Sequence, residues 1–473
     1  MPAYSSPRAT EKNTIKTGDR CDAAEVRKWL AAGCLLFIAA NILRSWAAVS
    51  SIGFHMEDSM LFSRYYGNVV PITDVGRTLF GQPYKMLITN LTAWLFAHFD
   101  VRIQPYLYLG TGFLWGTCAA CCFFASGLIR SRTVLLVGPL LMGLVGLNHI
   151  YYYTTLVFIM YTCLAVLLAL FFYPAPKSVF STLLFIIACL CLPWAGPYSV
   201  VVLPASLLFL VLFRHELDRK KQWPLVLAAG SSFIYYLSVQ GGTSNIMGIT
   251  NKKIVTAYFA SLLDRIIFFD LFKSVSPWYW LVFLAVVGGS FFLFRKDAVF
   301  IKHSLVMLAI IFGSYALFYL SSKYPMYNFP KPCHIFLSLF FWCIYLLYFA
   351  DHLFQVYGEK KQAAVLFCLL VCLLIIVDNK NFPYKRKIRY PLPDTGAFIA
   401  AIHTMEQRGF EEKNQYVILR QYSFPYRLFR PWVQVGSRRP DAQQLLRSDL
   451  PPALQNAFVS STKERRPEVE KID

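Results

Sequence analysis

Apolar residues along this chain gather into long runs, and short breaks between the runs hold most of the charge. Runs of about 17–24 residues recur through residue 378, the length a helix needs to cross ~30 Å of hydrocarbon. The pattern predicts eleven spanning helices at 29–50, 106–129, 133–148, 150–172, 178–194, 197–213, 224–240, 278–294, 303–320, 331–350 and 362–378. Run 178–213 is too long for one crossing, and Pro193, Gly196 and Pro197 divide it into a tight hairpin. The expected fold class is therefore an all-α polytopic membrane protein. A polar tail over 1–28 precedes the membrane domain at 29–378, and a small polar domain or tail over 379–473 follows it. In that last segment Tyr416–Arg420 and Trp432–Val435 read as short strands, with proline turns around Pro391, Pro425 and Pro431.

Lys and Arg orient such a chain, because they stay on the cytoplasmic side. Arg8, Lys12, Lys16, Arg20, Arg27 and Lys28 lie in the N-terminal tail. Arg130/Arg132, Lys177, Arg214/Arg219/Lys220/Lys221, Arg295/Lys296/Lys302 and Lys360/Lys361 fall on the same side when eleven spans are counted. The breaks at Asn148–His149 and Ala195–Gly196 carry no basic residue. The N-terminus is thus expected in the cytoplasm, with loops 51–105 and 241–277 outside. The cluster Lys380, Lys385, Arg386, Lys387 and Arg389 opposes this count, because eleven spans put it outside.

One segment decides the parity of everything after it. Thr78–Phe99 is apolar, but Gln82, Lys85 and Asn90 interrupt it. It reads as an interfacial helix with Trp94 at headgroup level. Loop 241–277 holds a second amphipathic patch, IVTAYFASLLDRIIFFDLF, that also suits an interface. The sequon at Asn90-Leu91-Thr92 carries no weight beyond its chance frequency.

Composition agrees with the pattern: 56% of residues are hydrophobic and 15% charged, against about 25% charged in soluble domains. Mean hydropathy is +0.47. The net charge of +20 suits topology and anionic lipid headgroups rather than nucleic acid. The N-terminal tail is too long and too acidic for a cleaved signal, so the first run is a retained span. Of twelve cysteines, all but Cys21 and Cys333 lie inside apolar runs, where cysteine acts as a small hydrophobe. Cys118, Cys121 and Cys122 imitate a metal spacing but lack a His or a second Cys pair, so neither a metal site nor a disulfide framework is expected. No Walker A loop, dinucleotide fingerprint, HExxH or GxSxG is present.

The stretch with candidate chemistry is Phe54–Asn68, FHMEDSMLFSRYYGN. If Asp58 begins a helix, Leu61, Phe62 and Tyr65 share one apolar face. Such a helix would lie on the bilayer and hold Glu57 and Asp58 over a cavity between spans. A carboxylate there either caps a helix or deprotonates a hydroxyl or coordinates a divalent cation.

A first span from an inside N-terminus, an outer loop opening on HMEDSMLFSRYYGN, interfacial helices in that loop and many spans behind it together resemble the GT-C glycosyltransferases. The hairpin LPWAGPYSVVVLPASLLFLVLFR (192–214) resembles one in bacterial members of this type, as does the pair Lys323–Tyr324 at an outer span end. The resemblance covers roughly 29–378. It implies inverting transfer of a sugar from a polyprenyl-phosphate donor to a cell-surface glycan or lipid acceptor, at the outer face of a bacterial cell membrane. It makes Asp58 the catalytic base and Glu57 its support. A departing lipid phosphate needs cations, and Arg64, Arg77, Lys85, Lys323 and Lys331 are candidates. Tyr65, Tyr66, Tyr324 and Tyr151–Tyr153 are candidates to bind the sugar or to form an aromatic belt. His55 and His149, and the acids Asp74, Asp264 and Asp270, are weaker candidates on the same side. No cofactor is certain from the sequence; a divalent cation (Mg or Mn) at the acid pair is the one candidate. The small C-terminal part departs from members with a large outer domain, which leaves the acceptor site open.

Two other readings stand beside this one. A transporter or flippase of a lipid-linked substrate would place ionisable residues near the bilayer midplane, where Arg44 is the main candidate. A polymerase or ligase of lipid-linked oligosaccharides would favour arginines over an acid pair at its centre.

Overall fold

Helix forms on every apolar run that the sequence marks out, wherever those runs are described. The computed structural model describes residues 23–44, 86–100, 103–146, 165–196, 201–239, 278–321, 332–358, 360–368, 370, 415–420, 432–437 and 458–460. Its helices are α1 (Ala23–Arg44), α2 (Leu87–Phe96), α3 (Gln104–Ala125), α4 (Arg132–Gly146), α5 (Val179–Cys191), α6 (Val202–Phe213), α7 (Arg219–Val239), α8 (Trp278–Leu293), α9 (Ala298–Ser321) and α10 (Pro332–Tyr357). Residues 165–172 and 361–368 are helical too. Among the described residues, two helices are long and apolar enough to cross a membrane by length and composition: Tyr106–Ala125 in α3 and Leu337–Tyr357 in α10.

Several helices run further than the apolar pattern suggests, and caps mark where they start or stop. α9 begins at Ala298 rather than 303 because the Asp297 carboxylate accepts from the N–H groups of Val299 (3.0 Å) and Phe300 (2.9 Å). α7 begins at Arg219 rather than 224, directly after Asp218, which accepts from Lys220 N–H at 3.3 Å. α10 runs on to Tyr357 rather than 350, and Gly358 ends it at φ 78, the left-handed conformation that glycine adopts without strain. Apolar periodicity marks the buried or lipid-facing part of a helix; backbone hydrogen bonding carries it past that part until a cap intervenes.

Contacts at one end of the bundle set the direction of the helices. Arg132, at the start of α4, pairs with Glu25 at the start of α1 (Nε–Oε1 2.8 Å), so these two helices are parallel. Asp351, near the end of α10, accepts from the N–H groups of Arg130 (2.9 Å) and Ser131 (2.7 Å) just before α4. Phe300 in the first turn of α9 stacks on Tyr348 of α10 at 5.3 Å. Lys302 of α9 reaches Glu216, after α6, and Lys221 of α7 donates to the carbonyl of Tyr173, before α5. α1, α4, α5, α7 and α9 therefore start at this end, and α3, α6, α8 and α10 finish there. The basic breaks of the sequence that are described all meet at it; it is called the basic end below.

α2 lies at the opposite end, packed on α3 and on the 3-10 turn Leu192–Ala195. Ten residues make a helix only ~15 Å long, half of what a crossing needs. The expectation of a non-crossing helix within Thr78–Phe99 thus fits the part of that segment that is described.

α10 is the hub. It packs against α4 on one side and α9 on the other, and residues 337–345 are buried without a break. Trp342 stacks on Tyr345 (5.4 Å) and meets Phe283 of α8 (5.5 Å). Buried hydroxyls link the three helices: Ser290 to Tyr345 at 2.5 Å, and Ser314 to Ser338 at 2.7 Å, with Ser338 also donating to Ile311 O. In lipid, such polar pairs and small residues hold helices together because apolar burial no longer discriminates between neighbours. α5 makes the point: Phe185 and Cys189 are buried, while Val179, Phe180, Leu183, Leu184 and Ile187 are exposed. A helix that is apolar on its open face has no water-facing side.

α1 and α4 meet at a glycine. A Cβ on Gly33 would stand 2.4 Å from the Leu135 carbonyl oxygen and 3.0 Å from Pro139 Cγ. Pro139 lies inside α4 and has no N–H to return to that carbonyl. The Gly33 Hα in the Cβ position therefore points at an acceptor left open, a Cα–H···O contact of the kind seen where helices pack closely. Gly33→Leu should push α1 off α4 and lower the melting midpoint of the purified protein by several degrees, as overpacking costs about 1–3 kcal/mol. A wild-type midpoint would refute the contact.

Beyond the helices, the two expected strands are present as β1 (Gln415–Arg420) and β2 (Trp432–Ser437), antiparallel with Ile418 opposite Gln434. A third, β3 (Phe458–Ser460), pairs on the other edge of β1. The sequence reading did not mark it.

Candidate functional site

Besides the hydroxyl pairs along α10, the described polar side chains gather at both ends of the bundle. At the basic end most of them are paired with one another. The Asp351 carboxylate is fully buried and takes both backbone N–H groups ahead of α4, while Gln355 donates to its other oxygen. Ser131 completes the cap, its Oγ accepting from Val134 N–H at 3.2 Å. His303 is buried among Phe172 (5.5 Å), Phe209 (6.4 Å) and Phe213 (4.6 Å), with Nδ1 3.2 Å from the Tyr348 hydroxyl. His352 lies 3.8 Å from Asp297. Lys221 is buried with its ammonium over the Phe209 ring at 5.5 Å. These groups join α4, α6, α7, α9 and α10; they are structural ties rather than a poised nucleophile and base.

The opposite end is built differently. α2 buries Thr89, Asn90, Ala93 and Phe96, one face at helical spacing. Phe96 packs edge-on against Tyr108 of α3 at 5.1 Å. Gln104, the first residue of α3, is buried and donates through Nε2 to Phe99 O at 2.9 Å. Among the described residues Thr89 Oγ1 and Gln104 Oε1 are buried with no hydrogen-bond partner, an arrangement that costs about 1–3 kcal/mol per group unless a donor meets it. Beside α2, Trp194 donates to Ser231 Oγ at 2.9 Å, and that hydroxyl donates to Leu190 O at 2.7 Å. This chain of bonds fixes the turn on which α2 rests to α7. Asn90 is buried, so the sequon is no attachment point for a glycan.

The residues singled out from the sequence fall elsewhere. Glu57, Asp58, Arg64, Tyr65, Arg77, Lys85, Lys323 and Tyr324 lie outside the described residues, as do His55, Tyr66, Asp74, His149, Tyr151–Tyr153, Asp264, Asp270 and Lys331. The divalent-cation expectation rests on Glu57 and Asp58 and goes with them. Among the described residues, no group of three or more His, Cys, Asp or Glu is arranged to hold a metal ion. α1, which precedes the acid stretch, ends at the α2 end of the bundle, and α2 follows that stretch.

Sequence reasoning missed Asp351, His303, Tyr348 and His352. The only trace of them was a charged pair, Asp351–His352, directly after an apolar run; the pattern read it as a loop. It also missed the approach of Cys34 to Cys121, for which no sequence signal exists. No protein-family model matches the chain, and no curated protein matches it.

Proposed function

We propose that this chain is an integral-membrane glycosyltransferase of GT-C type, taking sugar from a polyprenyl-phosphate donor at the outer membrane face. The observation that carries the reading is α2: a helix too short to cross, lying at the end away from the basic breaks, with polar side chains on its buried face. A water-soluble loop helix would turn Thr89 and Asn90 outward. Thr89 Oγ1 on α2 and Gln104 Oε1 at the start of α3 are two separate points at this end where a sugar hydroxyl can supply a donor.

The directions of the described helices are those of the eleven-span count, which puts the N-terminus and the described basic breaks in the cytoplasm. Under that topology the acid stretch stands outside, between α1 and α2. Asp58 takes the proton of the acceptor hydroxyl as the oxygen attacks the anomeric carbon from the face opposite the lipid phosphate. The C–O bond to phosphate breaks and the configuration inverts. Arg64, Arg77, Lys85 and Lys323 neutralise the departing phosphate, and Tyr65 and Tyr324 pack on the sugar. The basic-end cluster counts against ion-coupled transport: the buried Lys, His and Asp side chains among the described residues are Lys221, His303 and Asp351, and none sits at mid-bundle, where transporters coordinate their ions.

Two measurements test this. Surface glycan from a deletion strain, compared by mass spectrometry with the same strain carrying the wild-type chain, should lack the mass of one sugar. Identical glycans would remove the enzyme reading. Topology is tested separately. In whole cells a membrane-impermeant maleimide should label His98→Cys, an exposed position after α2. Lys177→Cys, exposed at the basic end, should react only after permeabilisation. The reverse order would overturn the orientation.

A further inference from the structure

Two cysteines that are far apart in sequence meet in the bundle. Cys34 of α1 and Cys121 of α3 bring their sulfurs to 2.7 Å across 87 residues of chain. Both are half-buried thiols, and Cys118 and Cys122 of α3 stand nearby. Leu35 and Leu36, which follow Cys34 in α1, are exposed at 68% and 43%, so α1 lies at the edge of the bundle with part of its surface open. We propose that Cys34 and Cys121 are a reversible dithiol–disulfide pair that ties α1 to α3.

The geometry favours this pair over its neighbours. A disulfide needs its two sulfurs directed at each other from chains held a few ångströms apart. α1 and α3 pack together, and the Cys34–Cys121 contact is made between them. Cys118, Cys121 and Cys122 share one helix, where residues three and four apart have Cβ atoms ~5–6 Å apart, beyond the 3.5–4.5 Å that a disulfide allows. The packed bundle brings one cross-helix pair into register.

The step balances as a two-electron oxidation. Two S–H bonds break and one S–S bond forms, releasing two protons and two electrons. The pair lies within apolar helices, so the acceptor must itself be lipid-soluble and take two electrons and two protons. A membrane quinone, reduced to its quinol, has that chemistry. The return step is thiol–disulfide exchange with a reduced dithiol, which oxidises in turn.

The consequence reaches the end of the bundle that holds α2. Residues 35–120 lie between the two thiols, and α2 and the acid stretch are among them. Oxidation closes this span into a loop, which narrows the positions open to the segment between α1 and α3. The inference does not depend on the glycosyltransferase reading, because it concerns two scaffold helices.

The test uses the full-length protein in its membrane. Membranes are treated with a short-chain benzoquinone, quenched in acid, denatured and alkylated with a maleimide of known mass. Wild type should lose two of its twelve alkylatable thiols and regain both after dithiothreitol. The oxidised digest should contain a peptide pair joined through Cys34 and Cys121, a readout that needs no variant. Cys34→Ser and Cys121→Ser should each keep all of their thiols under quinone, and Cys118→Ser and Cys122→Ser should still lose two. An unchanged wild-type count, or a bridge joining any other pair, would overturn the proposal.

Discussion

An Asp58→Asn chain is expected to reach the membrane at the wild-type level and to transfer sugar at least ~100-fold more slowly, the contribution of one general base. The substitution keeps size and hydrogen-bonding shape but removes the atom that accepts the proton. An asparagine still caps a helix as well as an aspartate does. The variant therefore separates the two roles open to this carboxylate: a cap survives the change and a base does not. The readout is surface-glycan mass in the deletion strain carrying either chain, beside an immunoblot of the membrane fraction. Glu57→Gln should give a smaller loss if Glu57 only supports its neighbour. Full rescue by Asp58→Asn would make Asp58 a cap and move the search for the base to Glu57 or to Asp74.

Asp351→Ala should destabilise the bundle by about 3–5 kcal/mol, the expected cost of stranding the donors that met a buried carboxylate. The Ser131 N–H is buried, at 2.7 Å from the carboxylate, and the Arg130 N–H lies at 2.9 Å. Both stand at the N-terminus of α4, where the helix dipole favours a negative partner. Alanine leaves these donors without an acceptor and opens a polar void between α4 and α10. Asp351→Asn retains an acceptor oxygen and should recover at least half of the loss. Heating the detergent-solubilised protein and following the monodisperse fraction gives the midpoints. The order should be wild type, then asparagine, then alanine. An alanine midpoint equal to wild type would mean that water serves these groups equally well.

The two predictions sit at opposite ends of what could be read from residue order. Apolar runs announced helices, because hydrophobicity is a local property and a helix needs ~20 such residues to cover hydrocarbon. The positions held to within a few residues, and the overruns at α7, α9 and α10 came from caps at Asp218, Asp297 and Gly358 that hydropathy does not weigh. Short β-branched and aromatic stretches announced β1 and β2 in the same local way, whereas β3, three residues long, is defined only by its partner. The acid stretch was visible in the sequence as two carboxylates beside an apolar run. Its surroundings were not, because nothing in residues 54–68 says which helices stand beside them.

What this sequence determined by itself is where the chain is helical, which breaks carry positive charge, and which short stretch holds paired acids. Each follows from neighbours along the chain. Tertiary structure alone decided that α2 rests on the Leu192–Ala195 turn and that Asp351 serves a helix start more than two hundred residues away. It also set Gly33 against the carbonyl that Pro139 leaves open, and Cys34 against Cys121. The physical reason is rotational. A helix that is apolar all round can turn any face to its neighbour at similar cost in lipid, so hydrophobic pattern cannot choose the face. The choice falls to a few close contacts, a glycine, a buried carboxylate, a pair of hydroxyls, whose partners exist only once the helices have packed.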